Sequence, residues 1–99
     1  MARLSDGVVA AGLRELVRLR SGHMPTDRDL ENAPHLSGWV FGEMDDGHRR
    51  LGGVVTGHPR LPAGWCWTSI VLFVSPDLRW ARTISRYYRL GEPMALNKD

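Results

Sequence analysis

The residues best suited to binding chemistry lie near the C-terminus, where arginines alternate with aromatic side chains. The set comprises Arg79, Trp80, Arg82, Arg86, Tyr87, Tyr88 and Arg89. Guanidinium groups bind phosphates and carboxylates through paired hydrogen bonds, and aromatic rings stack on bases or fill pockets at protein interfaces. We therefore predict that these residues bind a protein or a protein-nucleic acid complex. The alternative interpretation is that the rings fill the core and the arginines solubilise its outside.

The sequence contains no pattern typical of a metal or cofactor site. Its four histidines, His23, His35, His48 and His58, are separated by 12, 13 and 10 residues, whereas the ligands of known metal motifs recur at closer spacing. The single cysteine, Cys66, can form neither an internal disulfide nor a zinc site by itself. We predict no metal, no cofactor and no enzymatic activity.

Metal-independent RNA cleavage is the enzyme hypothesis that the residues support best. His58 can serve as base or acid while Arg82, Arg86 and Tyr88 stabilise the charged phosphate. No motif pairs His58 with a second general acid, and the Gly-His-Pro step around it is equally the end of a strand. RNase activity is therefore the second alternative, after sequence-tolerant nucleic-acid binding.

Length and composition predict one small basic domain. The chain has 99 residues, 42% of them hydrophobic, which suffices for one core. Its net charge of +2 is uneven, because residues 23–47 carry six acids against one arginine and residues 48–75 carry three arginines and no acid. No apolar run approaches the roughly 20 residues of a membrane span. The N-terminus lacks the apolar centre of a secretory signal, so we predict a cytoplasmic protein without membrane contact.

The N-terminal third predicts a helix over residues 5–20, followed by a polar connection over residues 23–35. The expected apolar stripe of the helix consists of Val9, Leu13, Leu16 and Val17. The connection contains two prolines and is expected to hold one short turn capped by Thr26.

Residues 36–91 predict a β-rich region, followed by a flexible tail over residues 92–99. The strongest strand candidate runs from Trp65 to Val74 and is expected at the centre of the sheet. Glycines in or beside the strands favour bulges and bends. The predicted fold class is α+β, with the N-terminal helix packed on a curved, barrel-like antiparallel sheet of three to five strands.

The segment from Ser75 to Gly91 is compatible with two structures. As a helix it has a capping serine, a proline in the first turn and a glycine stop, and its arginines lie on the face opposite its aromatic residues. As two strands it is rich in Thr, Ile and Tyr, with Ser75-Pro76-Asp77 as a turn. Local patterns leave both structures open.

Three motifs carry a resemblance to a known family: Gly57-His58-Pro59, Thr68-Ser69, and the run WARTISRYYRLG over residues 80–91. Through them the C-terminal half resembles a small bacterial family with an N-terminal helix, a glycine-punctuated β region and a closing Tyr-x-Leu-Gly strand. The resemblance implies strands after Ser75 and implies no reaction.

In size and make-up the chain is also similar to accessory proteins of phages and mobile elements, including anti-CRISPR proteins. This second resemblance implies an inhibitor that docks on a Cas effector complex. We therefore predict a non-catalytic binding protein, with the arginine and aromatic residues near the C-terminus as its contact surface. Formation of a homodimer through an open sheet edge is a further form of docking that the sequence allows.

Overall fold

The computed structural model describes residues 4–95 as two helices and six strands. The elements are α1 (Asp6–Arg20), α2 (Asp27–Glu31), β1 (His35–Glu43), β2 (Arg49–Thr56), β3 (Gly64–Trp67), β4 (Val71–Val74), β5 (Trp80–Thr83) and β6 (Tyr87–Leu90). The predicted α+β class and the predicted N-terminal helix are confirmed. Neither helix in this part of the chain is long and apolar enough to cross a membrane.

Both helices begin at side-chain caps that the sequence provides. The Ser5 hydroxyl accepts the backbone N–H of Val8 at 3.1 Å and starts α1. Thr26 and Asp29 form a reciprocal capping box at the start of α2. The short turn predicted after Thr26 is therefore confirmed.

Helix α1 is rotated relative to its predicted apolar stripe. Leu19 and Gly12 are buried, whereas Leu13 and Val17 are exposed, so half of the predicted stripe faces solvent. A Cβ atom at Gly12 would lie 2.2 Å from the carbonyl oxygen of Ile84. The helix therefore approaches the backbone near Ile84 along the side that has no side chain, which fixes its rotation.

The strands form one mixed sheet in the order β3-β2-β1-β6-β5-β4. Neighbouring strands are antiparallel except β1 and β6, which are parallel. The sheet is curved enough for β2 to contact β4, but β3 and β4 remain its two edges and it does not close into a barrel. The predicted barrel-like antiparallel sheet of three to five strands is therefore correct in its curvature and imprecise in strand number, direction and closure.

The predicted central strand from Trp65 to Val74 is wrong, because this segment forms β3 and β4 at opposite edges of the sheet. The break falls at Thr68 and Ser69. The Thr68 hydroxyl accepts the backbone N–H of Leu51 at 3.1 Å and donates to the carbonyl oxygen of Ser69 at 2.8 Å. These side-chain bonds replace ladder bonds and turn the chain.

The ambiguous segment after Ser75 consists of strands β5 and β6, as the family resemblance implies. Within the stretch predicted as a flexible tail, Gly38 donates its N–H to the carbonyl oxygen of Glu92 at 2.8 Å, and Met94 donates to Trp39 at 2.8 Å. Residues 92–94 thus run beside β1. The last part of the predicted tail, residues 96–99, lies outside the described residues.

The sheet packs on both of its faces. On the inner, concave face a core forms from Leu36, Trp39, Leu51, Val55, Ala81, Tyr88 and Leu90. On the outer face a second core forms from Leu19, Ala33, Trp80 and Tyr87, with contributions from both helices and the segment after α2. The two helices cover the outer face of β4, β5 and β6 only.

Candidate functional site

The predicted arginine and aromatic set is divided between the two faces of the sheet. Successive residues of a strand point to opposite faces, so Trp80 and Tyr87 enter the outer core and Tyr88 enters the inner core. These three rings are 5%, 8% and 3% exposed. The prediction that they form a contact surface is therefore corrected, because they fill the core.

Two of the predicted arginines lie apart from the others. Arg79 follows the turn before β5 and is exposed, with its Nε atom 3.9 Å from the Asp77 carboxylate. Arg89 is exposed on β6, and its Nε atom donates to the carbonyl oxygen of Ala33 at 3.1 Å. Arg89 therefore attaches the segment after α2 to the sheet.

Arg82 and Arg86 line one cleft between α2 and the turn that joins β5 to β6. The remaining lining residues are Asp29, Asn32, Ala33, Pro34, Ser85 and Tyr87. Burial is the largest influence on the pKa of Arg82 and lowers it. Nearby Tyr87 and Glu15 act in the opposite direction, and the charge of Arg86 lowers the pKa further. The structure thus brings three of the seven predicted residues together at one cleft, namely Arg82, Arg86 and Tyr87.

Tyr87 and Glu15 connect this cleft to α1. The Tyr87 hydroxyl donates a short hydrogen bond to the Glu15 carboxylate. Burial and this bond raise the pKa of Tyr87 well above its ordinary value. The same carboxylate receives Arg18 at 3.1 Å and lies 3.9 Å from His23, so α1 holds a partly buried polar cluster against β6.

A network of hydroxyl groups supports the turn between β5 and β6. Ser85 and Ser69 share a hydrogen bond of 2.9 Å between their hydroxyls, and Ser85 and Thr83 share one of 3.2 Å. The Thr83 hydroxyl also donates to the carbonyl oxygen of Arg86 at 3.1 Å. Thr83 therefore holds the backbone of Arg86, and Ser69 of the Thr68-Ser69 motif supports the same turn through its bond to Ser85.

His58 lies beside the inner core at the exit from β2. Its Nδ1 atom accepts the backbone N–H groups of Arg60 and Leu61 at 3.0 and 3.1 Å. Burial, followed by the charges of Arg86 and Arg60, lowers the pKa of His58. The ring is therefore held by the loop, with Nε2 as its remaining nitrogen, and its centre lies 6.3 Å from that of Tyr88.

Cys66 points into the inner face of the sheet, where it packs against the core. Burial raises the pKa of the Cys66 thiol, so the neutral thiol is favoured. This agrees with a packing role. Within residues 4–95 no group of three His, Cys, Asp or Glu side chains could hold a metal ion.

The most exposed aromatic surface was not part of the predicted set. Trp65 and Trp67 of β3 point to the outer face and are 51% and 46% exposed. Val54 pairs with Trp65 across the strands and is 42% exposed. These three side chains form a surface that we call the tryptophan face.

The two indole rings of the tryptophan face pack against glycines of the neighbouring strands. A Cβ atom at Gly52 would lie 2.7 Å from the Trp67 ring and 2.9 Å from the Trp65 ring, and one at Gly42 would lie 2.6 Å from Trp67. The indoles therefore lie directly on the backbone of β1 and β2. They meet edge to face with ring centres 5.9 Å apart, which fixes their orientation.

Acidic residues border one side of the tryptophan face. A groove beside Trp67 is lined by Glu43, Met44, Asp45, Asp46, Arg50 and Thr68. Arg50 is paired with Asp46 at 2.8 Å, which leaves two further carboxylates in the groove. Three of the six acids in the acidic stretch of the sequence thus lie next to the exposed indoles, namely Glu43, Asp45 and Asp46.

The sequence contained a signal for this surface. Trp65 and Trp67 share strand parity across Cys66, and a pair with shared parity lies on one face of a sheet. Cys66, which lies between them, packs against the inner core instead. The glycines at Gly42 and Gly52, interpreted as bulges, instead make room for the indoles.

Fold and site together define a class: a small α+β protein whose curved sheet leaves one aromatic half-face open beside an acidic groove. The chain belongs to a family described as Family of unknown function (DUF6634), whose model matches residues 8–98. No curated protein and no solved structure matches the chain.

Proposed function

We propose that this protein is a non-catalytic binding protein that docks on a protein partner through the tryptophan face. The observation that carries the proposal is the pair of half-exposed indoles on an uncovered half-face of the sheet. Large exposed apolar patches mark interaction sites in soluble proteins, and tryptophan is among the residues most enriched at binding hot spots.

The packing of the indoles supports docking. Their rings lie on glycine and against each other, so little side-chain entropy is lost when a partner covers them. Strand β3 is also an edge of the sheet. A partner that covers the indoles can therefore reach backbone groups along that edge as well.

The acidic groove beside the tryptophan face indicates the charge of the partner. Glu43, Asp45 and Asp46 stand against one arginine in the groove beside Trp67. A partner surface that carries arginine or lysine complements these carboxylates and can place a cation over an indole ring. The occupant we propose is therefore a basic surface of another protein.

An anti-CRISPR inhibitor is our specific proposal within this class, and its support is the size and make-up of the chain. Effector complexes that bind nucleic acid present basic protein surfaces, which is the chemistry that the acidic border fits. The enzyme alternative, RNA cleavage through His58, has only one ring nitrogen available and is tested by loss of turnover in His58→Ala.

Affinity capture from nuclease-treated lysate, followed by affinity measurement on the purified partner, tests the proposal. We expect Trp65→Ala/Trp67→Ala to weaken binding by roughly 30-fold or more, because hot-spot truncations cost about 2 kcal/mol or more. Leu13→Ala is the matched control, since Leu13 is 48% exposed on α1. Equal binding by the tryptophan variant would contradict the proposal.

The charge of the partner is tested separately with Glu43→Gln/Asp45→Asn. We expect a slower association and a flatter salt dependence, because border charges act mainly on association. Glu92→Gln is the control for loss of an exposed carboxylate elsewhere. An acidic partner, or an association rate unchanged by the double variant, would show that the assigned chemistry is wrong.

A phage plating assay tests the anti-CRISPR proposal. Wild-type protein should restore plating on cells that carry a matching CRISPR system, and the tryptophan variant should not. Without restoration the anti-CRISPR proposal fails, whereas docking is judged by the capture experiment alone. The proposed cytoplasmic location is checked by fractionation of the producing cells.

A further inference from the structure

The cleft that contains Arg82 and Arg86 lies away from the tryptophan face, between α2 and the turn from β5 to β6. Its volume is about 230 Å³, which is below the roughly 300 Å³ at which pockets begin to enclose drug-sized ligands. The cleft therefore suits one small charged group rather than a whole cofactor.

Arg82 is held in place by two contacts. Its Nε atom donates to the carbonyl oxygen of Thr83 at 2.9 Å, and its guanidinium carbon lies 5.1 Å from the centre of the Tyr87 ring. These contacts hold the guanidinium group in position, and neither of them uses its two terminal nitrogens as hydrogen-bond donors. Arg86 is positioned through its backbone, which exchanges hydrogen bonds with Thr83.

Two carboxylates, those of Glu15 and Asp29, influence the pKa of Arg82 by their charge, and Asp29 also lines the cleft. Both carboxylates already accept hydrogen bonds from other groups. Glu15 binds Arg18 and the Tyr87 hydroxyl, and Asp29 accepts the backbone N–H of Thr26 at 2.9 Å. Among residues 4–95, neither Arg82 nor Arg86 has a carboxylate oxygen within 4.0 Å. Arg82 and Arg86 therefore share a small cleft with the hydrogen-bonded Asp29 carboxylate, and neither arginine forms an ion pair within residues 4–95.

We propose that this cleft binds a phosphate monoester, with Arg82 and Arg86 as its charged donors and Ser85 and Asn32 as neutral neighbours. A phosphate monoester carries about −1.5 to −2 charges at pH 7, which matches two guanidinium groups. The planar donor fork of arginine also fits phosphate oxygens in pairs. The group can come from a nucleotide or from the 5′ end of a nucleic acid.

Calorimetric titrations with inorganic phosphate, a 5′-phosphorylated oligonucleotide and the same oligonucleotide with a 5′ hydroxyl test this site. We expect Arg86→Gln to weaken phosphate binding by about tenfold or more, because hydrogen bonds to charged groups are worth about 1.5 to 3 kcal/mol. Arg79→Gln removes the same charge outside the cleft and should leave binding unchanged. Arg82→Lys keeps the charge without the fork and should also weaken binding.

Thermal unfolding of each variant identifies any that fails to fold, and Arg82→Lys and Arg86→Gln test the cleft independently of each other. Saturable binding of phosphate alone supports a small-molecule source, and preference for the 5′-phosphorylated oligonucleotide supports a nucleic-acid end. Equal weakening by Arg79→Gln, equal binding of both oligonucleotides without phosphate binding, or no binding of any probe would overturn the proposal. Trp65→Ala/Trp67→Ala should retain phosphate binding, which separates this site from the proposed docking surface.

Discussion

The two halves of the outer sheet face carry the same kinds of side chain in opposite environments. On the half formed by β4, β5 and β6, α1 and α2 cover Trp80 and Tyr87, and both rings are almost fully buried. On the half formed by β1, β2 and β3, no helix of the described chain covers Trp65 and Trp67. The strand sequences place aromatic side chains on both halves of this face. The packing of α1 and α2 then determines which half is buried and stabilises the fold, and which half stays open for a partner.

The largest expected effect separates the two halves by stability. Trp80→Ala should reduce the free energy of unfolding by about 3 to 5 kcal/mol, as is usual when a buried aromatic side chain is removed. Trp67→Ala should cost no more than about 2 kcal/mol, because half of its surface is already in water. Urea unfolding of both variants measures the difference, and equal losses would remove the distinction between the covered and open halves.

Glycine substitutions sharpen the same comparison. Gly12→Ala should destabilise the fold by about 1 to 3 kcal/mol, since the new methyl group meets backbone that cannot easily yield. Gly52→Ala should cost less than about 1 kcal/mol, because the far end of the Trp67 side chain can move away, yet it should shift tryptophan emission. Thermal unfolding and fluorescence together check both outcomes. A larger stability loss in Gly52→Ala would mean that the open half is as tightly packed as the covered half.

Alkaline pH should weaken the fold through the two buried tyrosines. Burial raises the pKa of Tyr88 to about 12, and burial with the Glu15 bond raises that of Tyr87 further. Both are protonated in the folded and unfolded states below their ordinary pKa of about 10. Above about pH 10 the unfolded state loses these protons first, so the stability present below that pH declines as pH rises.

Tyr87→Phe and Tyr88→Phe should each flatten this alkaline decline, as measured by unfolding between pH 8 and 11. Tyr87→Phe should also cost about 1 to 2 kcal/mol near neutral pH, because the Glu15 carboxylate loses a hydrogen-bond donor. An alkaline decline of the same steepness in both variants would show that other groups cause it.

The smallest expected effect concerns α1. Leu13→Ser should change the free energy of unfolding by less than about 0.5 kcal/mol, because the side chain faces solvent despite its place in an apolar stripe. Leu19→Ser should unfold the protein far more readily, since Leu19 is buried in the outer core. If both variants lose the same stability, the rotation of α1 seen in the structure is wrong.

Local chemistry made part of this fold predictable. The caps at Ser5 and Thr26 and the end of the first helix follow from neighbouring residues, and they agree with the structure. The parallel pairing of β1 with β6 joins residues more than 50 positions apart, and no local pattern specifies it. The split between β3 and β4 depends on hydrogen bonds of the Thr68 and Ser69 hydroxyls. It could not be predicted locally, because both residues lie within a run of strand-forming residues.

The candidate site was predictable only in part for the same reason. Arg82 and Arg86 meet in one cleft as accessible cations, but strand parity placed Tyr87 and Tyr88 in different cores. Helical spacing, which had put the arginines on one face and the rings on the other, does not apply to strands. The positions of α1 and α2 determine which aromatic pair stays exposed. These positions follow from tertiary contacts, such as the one between Gly12 and Ile84, which the sequence alone does not show.

Fluorine NMR of 5-fluorotryptophan-labelled protein with its captured partner tests directly whether the partner covers the tryptophan face. The four tryptophan signals are assigned by single Trp→Phe variants, and their solvent isotope shifts report contact with water. In the free protein Trp65 and Trp67 should show the shift while Trp39 and Trp80 do not. A partner bound to the tryptophan face should remove the shift from Trp65 and Trp67 only, whereas a complex in which both indoles keep their contact with water would contradict docking through this face.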